Sequence, residues 1–309
     1  MNEEARKPII RSLTSIWTSR HHGWVTARIV LLVLFGAAAA IMIFEDRLIY
    51  FPSRYPEGNW KVNASPRHEG EVWARVEDIW LVTSDAVKLH GWYCTPVRTE
   101  HGNATSLPVR QVLLWLHGNA GNITDRYDMI EEMVKLPVEI FIIDYRGYGR
   151  SEGRPSEEGL YRDASAAWEF LVNTRGIDPH RVIIFGKSLG GAVAIELATR
   201  VEPGGLIVQS SFTSVADMAD TVVPIVVRPL LRTRMDSLGK ISRVSCRKLF
   251  VHSRADEVVP FELGHRLYEA ASQPKEFYEV KGARHNETYL VGGAPYFSAL
   301  RDFLKSCPE

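Results

Sequence analysis

Neither sign of charge prevails in this sequence: 37 lysines and arginines balance 37 aspartates and glutamates. Nucleic-acid binding usually shows as a basic excess or as a basic stripe interleaved with aromatics, and neither is present. Cysteine is scarce. Cys94, Cys246 and Cys307 lie far apart, so they form neither a CxxC metal pair nor a disulfide framework. Free buried thiols are the expected state, with one disulfide among them left open. The histidines include His21-His22, His90, His101 and His252. None sits in an HExxH or carboxylate spacing that would hold a metal. No metal and no cofactor is expected. Repeats and low-complexity tracts are absent too.

What is there is apolar material in two forms. Hydrophobic residues make up 45% of 309, enough for a real core in one large domain plus extras. Separately, residues 29–44, IVLLVLFGAAAAIMIF, carry no charge. At ~1.5 Å per residue this run spans roughly 24 Å, and adding residues from Trp24 brings it to about 30 Å, a bilayer core, with Arg28 reaching the headgroups. The reading is a tail at 1–23, a transmembrane anchor at 24–44, a juxtamembrane linker at 45–75 and a globular domain at 76–309. A signal cut at Ala38 or Ala40 would fall inside the apolar run. Arg6, Lys7, Arg11, Arg20 and Arg28 precede the run, against Arg47, Arg54 and Lys61 after it. That bias favours a cytoplasmic N-terminus, with the domain on the opposite side.

Beyond the linker the pattern alternates. EDIWLVT (77–83) and VKLHGWYC (87–94) read as a hairpin, and 99–109 as a polar loop. QVLLWLHG (111–118), EIFIIDY (139–145), RVIIFGKS (181–188), GLIVQSS (205–211), RKLFVHS (247–253) and EFYEVKG (276–282) read as strands. Helices are expected at 124–135, 157–174, 189–200, 261–272 and about 293–305. Strands alternating with helices imply a mostly parallel sheet covered on both faces, with the opening hairpin at one edge. Ligands of such sheets bind beyond the C-terminal ends of the strands.

Three strand ends carry chemistry. GKSLG (186–190) puts a serine on the sharp turn between a strand and a helix, where the flanking positions must be small; Gly186 and Gly190 meet that need. The pentapeptide alone is weak evidence, and the apolar strand before it and the small-residue helix after it strengthen it. A serine hydroxyl needs a base, and the base needs an orienter. Asp256 follows one later strand and His285 follows the last, in the chain order Ser, Asp, His. Ser188 is the candidate nucleophile, His285 the base and Asp256 its orienter. HGNAGN (117–122) follows an earlier strand, and the N–H groups of Asn119 and Leu189 are the candidate oxyanion donors. His117 is expected to pack beneath that loop. Asp144 and Arg146 are expected to lock the loop after their strand, as a pair. Sequons at Asn63, Asn103, Asn122 and Asn286 are weak evidence of a secretory history. A glycan at Asn122 or Asn286 would block the cleft, so these two read as coincidence.

HGNAGN, DYRGYGRSEG (144–153), GKSLGGA (186–192), the stretch from Asp256 to Pro260 and GARHNE (282–287) together resemble the membrane-anchored α/β-hydrolase domain proteins. They are more distantly similar to prolyl-oligopeptidase-like peptidases. The resemblance covers about residues 75–305 and, loosely, the anchor. It implies an α/β-hydrolase fold, a serine hydrolase, an N-terminal anchor, a short lid and lipid-like or acylated substrates. One departure is Ser253, where relatives carry glycine; Arg254 then stands beside Asp256 as a competitor for its carboxylate. The segment 212–243, containing VVPIVVRPLL (222–231), is the expected lid over an apolar acyl pocket.

The expectation is a membrane-tethered serine hydrolase that cleaves carboxylic esters or thioesters of a small-molecule or acyl-chain substrate. Two alternatives stay open. One is an amide-cleaving peptidase, against which stands the lack of room for a gating domain; the other is a non-catalytic hydrolase-fold module that binds a partner. Nothing in the sequence sets an oligomeric state.

Overall fold

Strands whose every residue is apolar need cover on both sides, and the architecture follows from that need. The computed structural model describes residues 44–62, 68–101, 103–221, 228–229 and 231–308, with four single positions between 28 and 36. Most of the expected anchor, 24–44, lies outside the described residues. Among those described, no helix is long and apolar enough to cross a membrane.

The strands, in chain order, are β1 (Phe51–Pro52), β2 (Val72–Val82), β3 (Lys88–Glu100), β4 (Asn103–Ser106), β5 (Gln111–Leu116), β6 (Ala120–Gly121), β7 (Val138–Ile143), β8 (Val182–Lys187), β9 (Gly205–Gln209), β10 (Arg247–His252) and β11 (Lys275–Glu279). The helices are α1 (Tyr127–Met133), α2 (Glu157–Glu169), α3 (Leu189–Ala198), α4 (Val215–Ala219), α5 (Leu238–Ile241), α6 (Phe261–Ala270) and α7 (Thr288–Ser306). The main sheet runs β11-β10-β9-β8-β5-β7-β3-β2, with β4 on β3. From β7 to β11 neighbours are parallel, and β2 and β3 form the antiparallel edge.

Alternate residues of the central strands separate into two cores, as a period of two requires. Leu114, Ile184, Leu206 and Phe250 pack with α2, α3 and α6. Leu113, Trp115, Phe185 and Ile207 pack with α1 and α7 on the other face. This is the α/β-hydrolase arrangement.

Several boundaries differ from expectation. The loop expected at 99–109 contains β4, whose four exposed residues extend β3 into a second hairpin. The helix expected at 124–135 begins as a 3-10 turn, Ile123–Arg126, because Asn122 and Asp125 form a capping box there. The helix expected at 157–174 widens into a π turn at Phe170–Thr174, closed by Arg175 N–H donating to Phe170 O. The C-terminal helix expected from 293 is preceded by a turn from Thr288 and breaks at Gly293 (φ +48), two residues before Pro295.

Arg146 does not pair with Asp144. It donates to buried Asp163 from its main chain (2.8 Å) and Nε (2.9 Å), and to Asp85 from Nη1 (2.8 Å) and Nη2 (3.0 Å). This fork ties the loop after β7 to α2 and to the β2–β3 turn. Burial pushes the Asp163 carboxyl up to about 6, against the hydrogen bonds from Arg146. Arg146→Met leaves Asp163 buried without its cation and is expected to cost about 3–5 kcal/mol in urea denaturation. A carboxyl whose folded pKa is raised destabilises the fold above that pKa and is relieved as pH falls through it. Without Arg146 the variant's carboxyl is raised further than the wild type's, so the gap between the two is expected to narrow as pH falls toward about 6, below which both are protonated.

Candidate active site

The turn after β8 is built by what its neighbours lack. Ser188 sits at φ +54, ψ −121, a region costly for a residue with a Cβ. Its main chain is pinned: Ser188 N–H donates to Gln209 O (2.9 Å), and Ser188 O accepts from Ser211 Oγ and from Gly191 N (both 2.9 Å). A Cβ at Gly190 would collide with the carbonyl oxygens of Leu116 and His117, and one at Gly186 with Gly190 O. Only glycines let the turn close against the end of β5. The Ser188 hydroxyl is left with no hydrogen bond among the described residues, at the N-terminus of α3.

His285 and Asp256 meet. Nδ1 of His285 lies 2.8 Å from Asp256 Oδ2 and 3.0 Å from Oδ1. Asp256 Oδ1 also accepts from the N–H groups of Val258 (3.0 Å) and Val259 (2.8 Å). Burial alone would raise this carboxyl; the hydrogen bonds from His252 and His285 outweigh it and hold Asp256 well below the usual carboxylate range. An ionised Asp256 places the shared proton on Nδ1 and leaves a lone pair on Nε2. Glu257 fixes the loop by accepting from His285 N–H (3.0 Å). Arg254 does not compete for Asp256. Its Nε donates to Glu279 (3.2 Å) and its guanidinium lies 4.1 Å over the Phe261 ring.

No hydrogen bond joins Ser188 to His285 among the described residues. Their sequence neighbours do touch, Lys187 Nζ donating to Asn286 Oδ1 at 3.3 Å. Apo sites often hold such bonds open until substrate is bound.

The carbonyls of the loop 117–122 are taken up by neighbouring donors. Asn119 O accepts from Tyr148 Oη (2.8 Å) and Phe51 N (3.1 Å), and His117 O from Tyr145 Oη (3.1 Å). His117 Nδ1 lies 2.7 Å from Gly118 O. Burial, with the field of Arg126, pushes the His117 imidazole down to about 3, so it stays neutral under the loop. The N–H groups of Asn119 and Leu189 have no acceptor among the described residues. A Cβ on Gly118 would stand 3.5 Å from Ser188 Cβ, which sets this loop beside the nucleophile turn.

Three contributors escaped the sequence reading. His252, screened only for metal spacing, lies with Nε2 3.0 Å from Val259 O and 3.4 Å from Asp256 Oδ2; its signal is the i, i+4 spacing to Asp256. Lys187 occupies the variable position of G-x-S-x-G. Burial lowers its ammonium to about 8, helped by Arg126 and opposed by Asp256. Residues 49–53 bind the oxyanion loop from outside and show no periodicity to find. Of the four sequons, Asn122 is buried, so no glycan fits there. The expected acyl pocket falls partly on 222–227 and 230, outside the described residues.

The sheet order and the strand-end turn define the class: an α/β hydrolase. Residues 108–241 match a family model described as serine aminopeptidase, S33. The chain is 32% identical to protein bem46 of Schizosaccharomyces pombe, over 84% of this chain and 86% of that one. It is 34% identical to alpha/beta hydrolase domain-containing protein 17B of Xenopus laevis, over 68% and 74%. An uncharacterised protein of Mycobacterium tuberculosis is 36% identical, over 89% and 92%. The chain belongs to the α/β-hydrolase domain family. Among solved structures, the esterase Pf2001 of Pyrococcus furiosus superposes with a TM-score of 0.65 at 21% identity, covering 83% of this chain and 99% of that one; this likeness bears on the fold.

Two glycines separate folding from chemistry. Gly190→Ala drives a methyl into main-chain oxygens and is expected to lower the urea midpoint and abolish reactivity together. Gly118→Ala meets only ordinary contacts, Ser188 Cβ at 3.5 Å and Lys187 O at 3.7 Å. It is expected to keep the urea midpoint while crowding a bound carbonyl, lowering kcat/KM by roughly 10²-fold.

Proposed function

We propose that this hydrolase is a membrane-tethered serine enzyme that cleaves carboxylic esters or thioesters of lipid-like or acylated substrates. The observation that carries the reading is the His285–Asp256 contact at 2.8 Å, on the same rim of the sheet as a serine held at φ +54. Ser188 Oγ attacks the acyl carbon as His285 Nε2 takes its proton. The N–H groups of Asn119 and Leu189 receive the charge that develops on the carbonyl oxygen; one such donor is worth about 3 kcal/mol of transition-state stabilisation. His285 returns the proton to the departing alcohol or thiol, leaving an acyl-enzyme. Water then attacks the acyl-enzyme by the same route and frees the acid and Ser188. Asp256 holds the imidazole tautomer and stabilises its cation.

The membrane tether rests on the uncharged run at 29–44, and the preference for acylated substrates on that tether and on the apolar segment 222–231. The family description as a serine aminopeptidase favours a second reading, an amide bond in place of the ester, with the same residues in the same roles.

A fluorophosphonate probe is expected to label the full chain, and Ser188→Ala to abolish the label; a folded wild-type chain that stays unlabelled overturns the serine mechanism. Asp256→Asn is expected to lower turnover by up to ~10⁴ with the fold intact. p-Nitrophenyl esters set against aminoacyl p-nitroanilides divide esterase from peptidase. Across the esters, rates are expected to rise with acyl length; a flat series removes the apolar pocket.

A further inference from the structure

The stretch between the apolar run and β2 is built into the site from two directions. Glu45 is 1% exposed, and its carboxylate accepts from Arg232 N (3.0 and 3.1 Å), Arg232 Nε (3.1 Å) and Thr233 N (2.7 Å), all in the expected lid segment. A few residues on, the same chain reaches the oxyanion loop. Ile49 O accepts from Asn119 Nδ2 (2.9 Å), Phe51 N donates to Asn119 O, and Ser53 N donates to Gly121 O (both 3.1 Å). β1 and β6 pair in parallel, Phe51 with Ala120 and Pro52 with Gly121. Asn122 Nδ2 donates to Ser53 O (3.3 Å) and Glu57 O (3.0 Å). The oxyanion peptide is thus held on its outer side by main-chain atoms of residues 49–57.

The solvent side of this segment carries four large apolar side chains. Phe44 is 46% exposed, Leu48 62%, Phe51 53% and Tyr55 57%. Exposed cations Arg47 and Lys61 and exposed acids Asp46 and Glu57 stand among them; the cations suit an apolar surface that meets phospholipid headgroups. The uncharged run 29–44 leads straight into Phe44, so the chain that would carry this surface to a bilayer is contiguous with it.

We propose that residues 44–55 form a bilayer-contacting rim whose main chain holds the oxyanion loop, so that donor geometry at Asn119 is set by the segment that meets lipid. The inference rests on the membrane-tethered serine-hydrolase reading and adds to it where the domain faces: the rim and the mouth of the site share one edge. Lipid contact supplies no new catalytic group. It restrains the strand that positions Asn119, and it places acyl chains of the bilayer beside the nucleophile.

The test uses the full chain in phosphatidylcholine nanodiscs. Phe51→Pro removes the N–H donated to Asn119 O; Phe51→Ala removes the ring and keeps that donor. The kcat of Phe51→Pro is expected to lie at least about tenfold below that of Phe51→Ala, with KM alike and a proportional loss of affinity for a boronic-acid mimic of the tetrahedral intermediate. A loss of fold alone would lower the active fraction without that selective loss of affinity. Equal kcat values in the two variants overturn the strut. For the rim, Leu48→Glu with Phe51→Glu is expected to lower turnover of a long-chain acyl ester in the nanodisc, relative to a soluble short-chain ester, by about tenfold. An unchanged ratio overturns the lipid contact, whether the surface is then bare or covered by protein. Two readouts need no turnover. Brominated phosphatidylcholine is expected to quench added emission from Phe51→Trp, and Phe51→Pro to speed amide exchange at 119–121. Unlabelled wild-type chain with both signals intact would sink the serine mechanism and leave the rim standing; both signals absent would sink the rim.

Discussion

The site depends on a close approach between two strand ends. β8 must stop, reverse into α3 and raise a side chain in the left-handed region, all within contact of the end of β5. Gly190 lies against Leu116 O and His117 O, and Gly118 faces Ser188. The turn at Ser188 and the loop 117–122 are therefore one packing unit. Neither can shift without the other, because the atoms between them are main-chain oxygens that have nowhere to relax. The strain at Ser188 is sustained by the hydrogen bond its N–H donates to Gln209 O and by those its carbonyl accepts from Ser211 Oγ and Gly191 N.

The charges around this unit are arranged by burial as much as by pairing. Asp256 remains ionised because two main-chain N–H groups and two imidazoles outweigh its desolvation. His117 has no such company. Buried beside Asp144 at 3.9 Å, without a hydrogen bond on Nε2, it stays neutral. One histidine thus gains a carboxylate within hydrogen-bond reach while the other is kept uncharged under the oxyanion loop. Nδ1 is the partnered nitrogen in both; the distinction lies in whether it meets a carboxylate, as in His285, or a main-chain carbonyl, as in His117, and residue type does not reveal it.

That difference marks what was legible in the sequence. β5, β8 and β9 read clearly because burial on both faces leaves a continuous apolar run. Asp256 and His285 were found because a parallel sheet puts the ends of successive strands on one rim, so chain order substitutes for coordinates. The family motifs carried the rest of the site. What stayed hidden were contacts with no periodic trace. β1 and β6 are two residues each and pair across 69 positions of sequence (Phe51 with Ala120). Arg146 chose Asp163 and Asp85 over adjacent Asp144, a choice made by the packing of α2. His252 supports Asp256 from the strand that precedes it, a role shared with no named motif.

The least legible stretch bears most on how the domain is held. Residues 45–75 read as a juxtamembrane linker, yet Glu45 is almost wholly buried and its carboxylate is filled by three nitrogens of Arg232 and Thr233. The interval between the last residue of the apolar run, Phe44, and the first side chain locked into the domain is a single peptide bond. A flexible linker decouples two bodies in proportion to its length; this one has none to offer at that end. If the run enters lipid, the domain cannot swing freely beneath it. Its attitude is set by where Glu45, Ile49, Phe51 and Ser53 are bonded, and those bonds lie on Arg232, Thr233 and the loop 117–122. Tethering and catalytic geometry would then be two effects of the same dozen residues.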